Sequence, residues 1–271
     1  MNFNKKKIFA RTKIFIIIYC TIGIVLFYMQ DIFIFLPEKL ESDYVFKFDM
    51  PFEEVTIPVN REDTISLVKF FPKDSIRKGV VIYYHGNKIN IEHYAAHAAI
   101  FTRNGYEVWM PDYPGYGKSR GERTEQKLYD QALLIRKLAA GKFSNDSIVI
   151  YGRSLGTGIA AYVASMYDCK SLVLETPYYS IPGLLNSFTY IYPATYMSKY
   201  KIPTWKYLQD VQEPVLIFHG NNDWIIPYRC AAKLKKYLKE GDEFVTIRNG
   251  SHNNLTGFEI YKHKIDSLLK R

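Results

Sequence analysis

The segment Val80-Val81-Ile82-Tyr83-Tyr84 has no polar position, and a strand without apolar–polar alternation needs cover on both faces. Helices packed on either side of a sheet meet that need. Similar short apolar runs recur, giving strands at Glu53–Val59, Thr64–Phe71, Gly79–Tyr84, Tyr106–Pro111, Ser147–Tyr151, Ser171–Glu175, Val215–His219 and Glu243–Arg248. The first two are separated only by a turn and are expected to pair antiparallel. From the third onward helical stretches intervene, at Ile91–Arg103, Thr124–Ala140, Leu155–Tyr167, Tyr228–Lys239 and Leu255–Leu269. This order implies right-handed crossovers and an eight-stranded, mostly parallel α/β sheet with helices on both faces. At 271 residues, with 48% hydrophobic and 23% charged side chains, the chain suits one such domain rather than two large ones.

The fifth strand runs into Gly152-Arg153-Ser154-Leu155-Gly156, a match to G-x-S-x-G. By itself the match is modest, since a chain of this length shows it by chance roughly one time in ten. Its setting adds weight. A strand enters it, and a helix rich in small residues (Gly156, Gly158, Ala160, Ala161, Ala164) leaves it. A nucleophilic serine on a strained strand–turn–helix elbow needs that context, because glycines let strand and helix pass closely. The helix N-terminus also offers backbone donors to a developing oxyanion.

A serine hydroxyl is a weak nucleophile at neutral pH, so a histidine must take its proton and a carboxylate must orient the histidine. Both follow in the order serine, acid, histidine. Asp223 comes just after the seventh strand, in His219-Gly220-Asn221-Asn222-Asp223, and His252 follows the eighth, in Gly250-Ser251-His252. The expected oxyanion donors are the backbone N–H groups of Leu155 and of Asn87, the latter in His85-Gly86-Asn87-Lys88 after the third strand. His85, Gly86, Lys88, Tyr178 and Tyr179 are the expected substrate contacts. His93 and His97 are spaced i,i+4 as metal ligands can be, but no glutamate lies in the zincin position and no third ligand suggests itself. No metal or cofactor is expected.

Ahead of the domain, Ile14–Met29 is a run of sixteen uncharged residues, interrupted by Gln30 and Asp31 and resumed from Ile32 to Leu36. A spanning helix needs about 20 apolar residues, so the run suffices with its flanks. Bulky residues stand where a cleavage site would need small ones, and Tyr19 before Cys20 disfavours a lipoprotein site, so an uncleaved anchor is expected. Lys5, Lys6, Lys7, Arg11 and Lys13 precede the run while Asp31, Glu38 and Glu41 follow it. That asymmetry puts the N-terminus in the cytoplasm and the domain on the outer side. Those basic residues also account for much of the net charge of +9, and the rest are dispersed without a binding module, so no nucleic-acid partner is expected. Three cysteines (Cys20, Cys169, Cys230) make neither a disulfide framework nor a C-x-x-C site.

The stretch 176–213 breaks the alternation and holds Tyr178, Tyr179, Phe188, Tyr190, Tyr192, Tyr196, Tyr200, Trp205 and Tyr207. A bare loop of that length is unusual in a compact domain. A small lid between strands six and seven, membrane-facing surface, and plain aromatic packing are the three readings. The domain plan is thus a basic tail and anchor at 1–37 and a catalytic domain at 38–271 that carries the insertion.

Together these segments resemble membrane-associated α/β-hydrolase-domain proteins of the serine-aminopeptidase-like and lysophospholipase-like branch. The resemblance is carried by Tyr84-His85-Gly86-Asn87, by Pro111-Asp112-Tyr113-Pro114-Gly115-Tyr116-Gly117-Lys118-Ser119, by Tyr151–Gly156, by His219-Gly220 with Asp223 and Pro227, and by Gly250–Asn254. The stretch Phe27–Pro37 resembles the anchor-to-domain junction of that group. It implies the α/β-hydrolase fold and a Ser154–His252–Asp223 triad acting on a small-molecule or lipid-like acyl substrate. Relatives include depalmitoylating thioesterases and lipid esterases. Small residues usual after His-Gly-Asn are replaced here by Lys88-Ile89, and Lys88 either meets an anionic substrate group or points to solvent. The expected activity is hydrolysis of a carboxylic ester or thioester. A peptidase, and a membrane-anchored binding protein without catalysis, are the rivals. Substrate and oligomeric state stay open.

Overall fold

A computed structural model describes residues 5–73, 77–188 and 190–270. Eight strands form one sheet: β1 (Phe52–Pro58), β2 (Thr64–Phe70), β3 (Gly79–Tyr84), β4 (Tyr106–Pro111), β5 (Ile148–Arg153), β6 (Ser171–Glu175), β7 (Val215–Gly220) and β8 (Glu243–Ile247). Their order is β1-β2-β4-β3-β5-β6-β7-β8. β2 pairs antiparallel with both β1 and β4, and every other pairing is parallel, so β2 alone runs against the rest.

Side chains alternate across the central strands into two cores. Val80, Ile82 and Tyr84 of β3 pack on one face with Ile135 and Ala139 of helix α2 (Glu125–Ala140) and with Ile159 and Val163 of helix α3 (Leu155–Met166). Val81 and Tyr83 face the other way, against Phe101 and against Tyr261 and Ile265 of the C-terminal helix α4 (Glu259–Lys270). Every residue of β3, β4, β5, β6 and β7 is buried, as apolar runs without alternation require. The Thr124 hydroxyl caps α2 by accepting the Lys127 N–H at 3.2 Å.

Three expected helices are shorter or broken. The stretch from Ile91 is helical to Tyr94, tightens to 3₁₀ over Ala95–Ala98 and resumes at Ala99–Thr102. The tight turn falls largely on alanines (Ala95, Ala96 and Ala98), whose small side chains tolerate its eclipsed packing. After one α-helical turn at Tyr228–Ala231 the chain is 3₁₀ to Tyr237. Extended backbone at Phe258 separates a 3₁₀ turn at Leu255–Gly257 from α4.

At the N-terminus helix α1 (Lys5–Tyr28) projects with most of its large side chains exposed; 22 of its residues, Lys7–Tyr28, form a segment long and apolar enough to cross a membrane. A short helix, Gln30–Ile34, follows. Phe35 is already part of the core, and Leu36–Pro37 pairs parallel with Lys88–Ile89. Domain packing therefore begins before residue 38. The 176–213 stretch folds as three short helices, Ile181–Leu185, Ala194–Met197 and Thr204–Tyr207. Its base, with Tyr178, Ile181, Tyr200 and Ile202, is core, whereas Phe188, Tyr190, Ile191 and Tyr196 are exposed.

Candidate active site

Parallel strands direct their C-terminal ends, and the loops after them, to one rim of the sheet. β5 delivers Ser154 there, β6 ends at Glu175, and the loops after β7 and β8 carry Asp223 and His252. Ser154 lies between strand and helix at φ 50° and ψ −116°. A non-glycine residue in such a conformation costs on the order of 1–3 kcal/mol, so the surroundings must impose it. They do so from both sides. The Ser154 N–H donates to the Glu175 carbonyl at 2.9 Å, and its carbonyl accepts from the Thr157 N–H at 3.0 Å and the Thr157 hydroxyl at 2.6 Å. The flanking glycines are required by contact: a Cβ on Gly152 would strike the Gly156 carbonyl, and one on Gly156 would strike the Tyr84 carbonyl.

Ser154 Oγ is 3.0 Å from His252 Nε2, and His252 Nδ1 is 2.8 Å from Asp223 Oδ2. The other carboxylate oxygen of Asp223 accepts the N–H groups of Ile225 and Ile226 at 2.9 and 2.8 Å. With Asp223 accepting at Nδ1, His252 carries its proton there and presents a bare Nε2 to the serine. That is the tautomer a general base needs. Ser154, Asp223 and His252 keep 8%, 6% and 8% of their surface, so the chain of hydrogen bonds is shielded but touches solvent.

The N-terminal turn of α3 abuts the end of β3, since Gly156 lies against the carbonyls of Tyr84 and His85. This brings the Leu155 peptide beside the loop that carries Asn87. Neither the Leu155 N–H nor the Asn87 N–H has a hydrogen-bond partner among the described residues. Asn87 is held by its other groups: its carbonyl accepts from the Leu36 N–H at 2.9 Å and the Tyr116 hydroxyl at 2.8 Å, and its amide donates to the Ile34 carbonyl at 2.8 Å.

The expected substrate contacts separate into groups. His85 is fully buried, with Nε2 3.1 Å from Asp112 and Nδ1 2.7 Å from the Gly86 carbonyl, so it braces the loop and cannot meet a substrate. Burial pushes the Asp112 carboxyl above its ordinary range, against the opposing pull of His85 and of the Ile91 N–H. Tyr178 is likewise buried, its hydroxyl donating to the Leu155 carbonyl at 3.0 Å. Both assignments are corrected for the same reason: their polar atoms are spent inside the fold. Gly86 is buried against the Tyr94 hydroxyl, and Lys88 is exposed to solvent. Tyr179 lines a cavity of about 550 Å³ with Trp205, Lys201, Arg229 and Lys233. A second cavity, about 480 Å³, is bounded by Phe188, Asp223, Trp224 and Arg229. Ser154 and His252 line neither of the two.

Sequence reasoning missed a charged layer beneath the serine. Arg153 and Glu175 form a buried ion pair, Nε to Oε1 at 3.4 Å, and Glu175 also accepts the hydroxyls of Tyr151 and Tyr261. Burial pushes the Glu175 carboxyl up, but Arg153, then His97 and the tyrosine hydroxyls, outweigh it and hold the group below its ordinary range. The Arg153 guanidinium also reaches the His252 carbonyl at 3.4 Å and the Asn253 side chain at 3.1 Å. His97, weighed above as a metal ligand, instead accepts from Arg153 at 2.6 Å. One signal was available: Ser171–Glu175 is an apolar strand that ends in a carboxylate.

Comparison with known proteins agrees with this architecture. The family described as "Serine aminopeptidase, S33" matches residues 75–200. "Alpha/beta hydrolase domain-containing protein 17C" of Xenopus tropicalis is 26% identical over 196 residues, which cover 69% of this chain and 59% of that protein. The protein of the same name from Homo sapiens is 26% identical over 197 residues, covering 69% and 56%. The chain thus matches less than two thirds of the length of these curated relatives. Among solved structures, an esterase of Pyrococcus furiosus superposes with a TM-score of 0.68 at 18% identity, covering 88% of this chain and 98% of the esterase. Est1E of Butyrivibrio proteoclasticus, solved with ferulic acid bound, gives 0.67 at 19% identity, covering 80% and 98%. With this sheet order and these structural neighbours, the chain has the α/β-hydrolase fold.

Proposed function

We propose that this protein is a serine hydrolase that cleaves a carboxylic ester or thioester through an acyl-Ser154 intermediate. The single observation that carries the reading is the unbroken hydrogen-bond chain Ser154–His252–Asp223. Ser154 Oγ attacks the acyl carbon while His252 Nε2 takes its proton, and Asp223 stabilises the imidazolium that forms. The oxyanion then falls to the N–H groups of Leu155 and Asn87. Collapse breaks the bond to the leaving alcohol or thiol, which takes the proton from His252. Water then attacks the acyl-serine with His252 again as base, releasing the acid and restoring the hydroxyl.

The esterase named among the similar structures favours an ester over an amide. The family description favours a peptidase, and turnover of matched amide and ester substrates separates the two. On this reading residues 1–37 tether the domain as a single-pass anchor with a cytoplasmic basic end, the domain faces outward, and 176–213 acts as a lid over an acyl or lipid-like substrate. Labelling with a fluorophosphonate probe is the direct test. Wild-type protein is expected to react at Ser154, and Ser154→Ala to lose both labelling and about 10³-fold or more of its turnover. Unchanged turnover in Ser154→Ala would refute the assignment, and an unreactive wild-type serine would favour the binding-protein reading.

A further inference from the structure

The tip of the 176–213 stretch is bound to the N-terminal helix well inside its apolar span. The Tyr192 ring stacks on Tyr19 with centroids 4.7 Å apart, and its hydroxyl donates to the Tyr19 carbonyl at 3.1 Å. The Tyr19 hydroxyl donates in return to the Ile191 carbonyl at 2.9 Å. The Tyr192 ring also lies over Gly23, where an added Cβ would be 3.1 Å from Cε1. Polar contacts between the same two segments occur at the other end. Gln30 bonds the Met197 carbonyl and the Lys199 N–H at 2.8 and 2.7 Å, and Asp31 pairs with Lys199 at 3.1 Å. The two segments therefore run side by side from Gln30–Asp31 to Tyr19.

Depth follows from helix geometry. Tyr19 is nine residues (28 − 19) before Tyr28, where the span ends, or about 13 Å along the axis. A hydrocarbon layer is about 30 Å thick, so a segment that touches Tyr19 cannot stay in the water if the helix spans it. The side chains at the tip suit that position. Residues 188–197 include no charged residue, and Phe188, Tyr190, Ile191 and Tyr196 are 60%, 82%, 70% and 86% exposed. Phe188 also lines the cavity that reaches Asp223, whose rim carries Trp224, itself 82% exposed.

We propose that residues 190–197, with Phe188 beside them, are a wedge that enters the bilayer crossed by the N-terminal helix, seating the rim of the active site on the lipid surface. The substrate class that follows is one whose acyl chain is already in that leaflet. The proposal rests on the anchor reading above and deepens the lipid-like substrate suggested there. The occupant of this exposed surface is a phospholipid bilayer.

The test uses the full chain reconstituted in phosphatidylcholine vesicles whose acyl chains carry bromine, a contact quencher of tryptophan. Tyr190→Trp and Tyr196→Trp report the wedge, Ile17→Trp reports the helix, and Met166→Trp, at the far end of α3, reports the side away from the site. The wedge and helix tryptophans, placed within the hydrocarbon layer, are expected to lose fluorescence relative to the parent background, and Met166→Trp to lose none. Quenching of Ile17→Trp alone would overturn the wedge and leave the anchor standing. Silence at Ile17→Trp would remove the anchor and the wedge together. Wedge tryptophans shifted to the blue but unquenched would be covered by protein, a second copy or a partner, and would also overturn the proposal.

Discussion

Arg153 occupies the variable position before the serine in the G-x-S-x-G motif, and the fold makes it the brace of the site. Its guanidinium is committed to Glu175 below, to His97 at the side and to the His252–Asn253 backbone and side chain above. Arginine suits this role because its fork serves several acceptors at once. Removing it leaves Glu175 charged and buried without a cation. Arg153→Gln is therefore expected to destabilise the protein by about 3–5 kcal/mol. Arg153→Gln with Glu175→Gln should recover most of that loss, because no uncompensated charge remains. Denaturant unfolding of the two singles and the double checks this, and simple additivity would contradict it. The motif made Ser154 legible. Arg153 was not, since its value depends on a carboxylate 22 residues on that only the pairing of β5 with β6 brings alongside.

Among the elements, α3 shows how closely the elbow is built. Gly156 rests on the Tyr84 carbonyl, so Gly156→Ala must push the helix off the end of β3. A loss of about 3 kcal/mol is expected, with turnover falling as the Leu155 N–H moves. Gly257, with no atom within 4 Å of a built Cβ, is the control: Gly257→Ala should change stability by less than about 1 kcal/mol. Equal midpoints for the two variants would show that contact at Gly156 is not limiting. Fully apolar strands were read well because burial on both faces leaves a direct mark on composition. The broken helix from Ile91 was not, because alanine-rich turns satisfy α and 3₁₀ geometry alike and the packing chooses between them.

Across the whole molecule, the acid side of the stability curve reports on a buried neutral histidine. His219, at the end of β7, is fully buried, and neither ring nitrogen has a hydrogen-bond partner among the described residues. Burial drives its pKa down to about 4, only partly opposed by Asp223, whose carboxylate lies 3.8 Å away. Between pH 6.5 and about 4 the unfolded chain takes a proton there that the folded chain refuses, so stability is complete above that window and falls as the pH drops through it. The contribution by the low end is about 3 kcal/mol. His219→Phe keeps a ring, removes the titration and is expected to flatten the thermal midpoint over that range. A parent and variant with parallel pH profiles would exclude His219 as the cause.

Period and spacing along the chain were enough for the layers, the elbow and the order serine, acid, histidine, because each leaves a local pattern of apolar positions, glycines and turn residues. Only the tertiary structure decided which side chains meet. Ser154 and His252 are 98 residues apart and touch because β5, β7 and β8 run parallel and end at one rim. His85 belongs to the loop expected to meet substrate, yet the fold turns it inward onto Asp112. The loop at Asn87 is clasped by Ile34 and Leu36, which a linear reading assigns to the tether. A local pattern records what a residue requires of its neighbours in sequence, whereas a contact between distant residues exists only once the sheet order has been chosen.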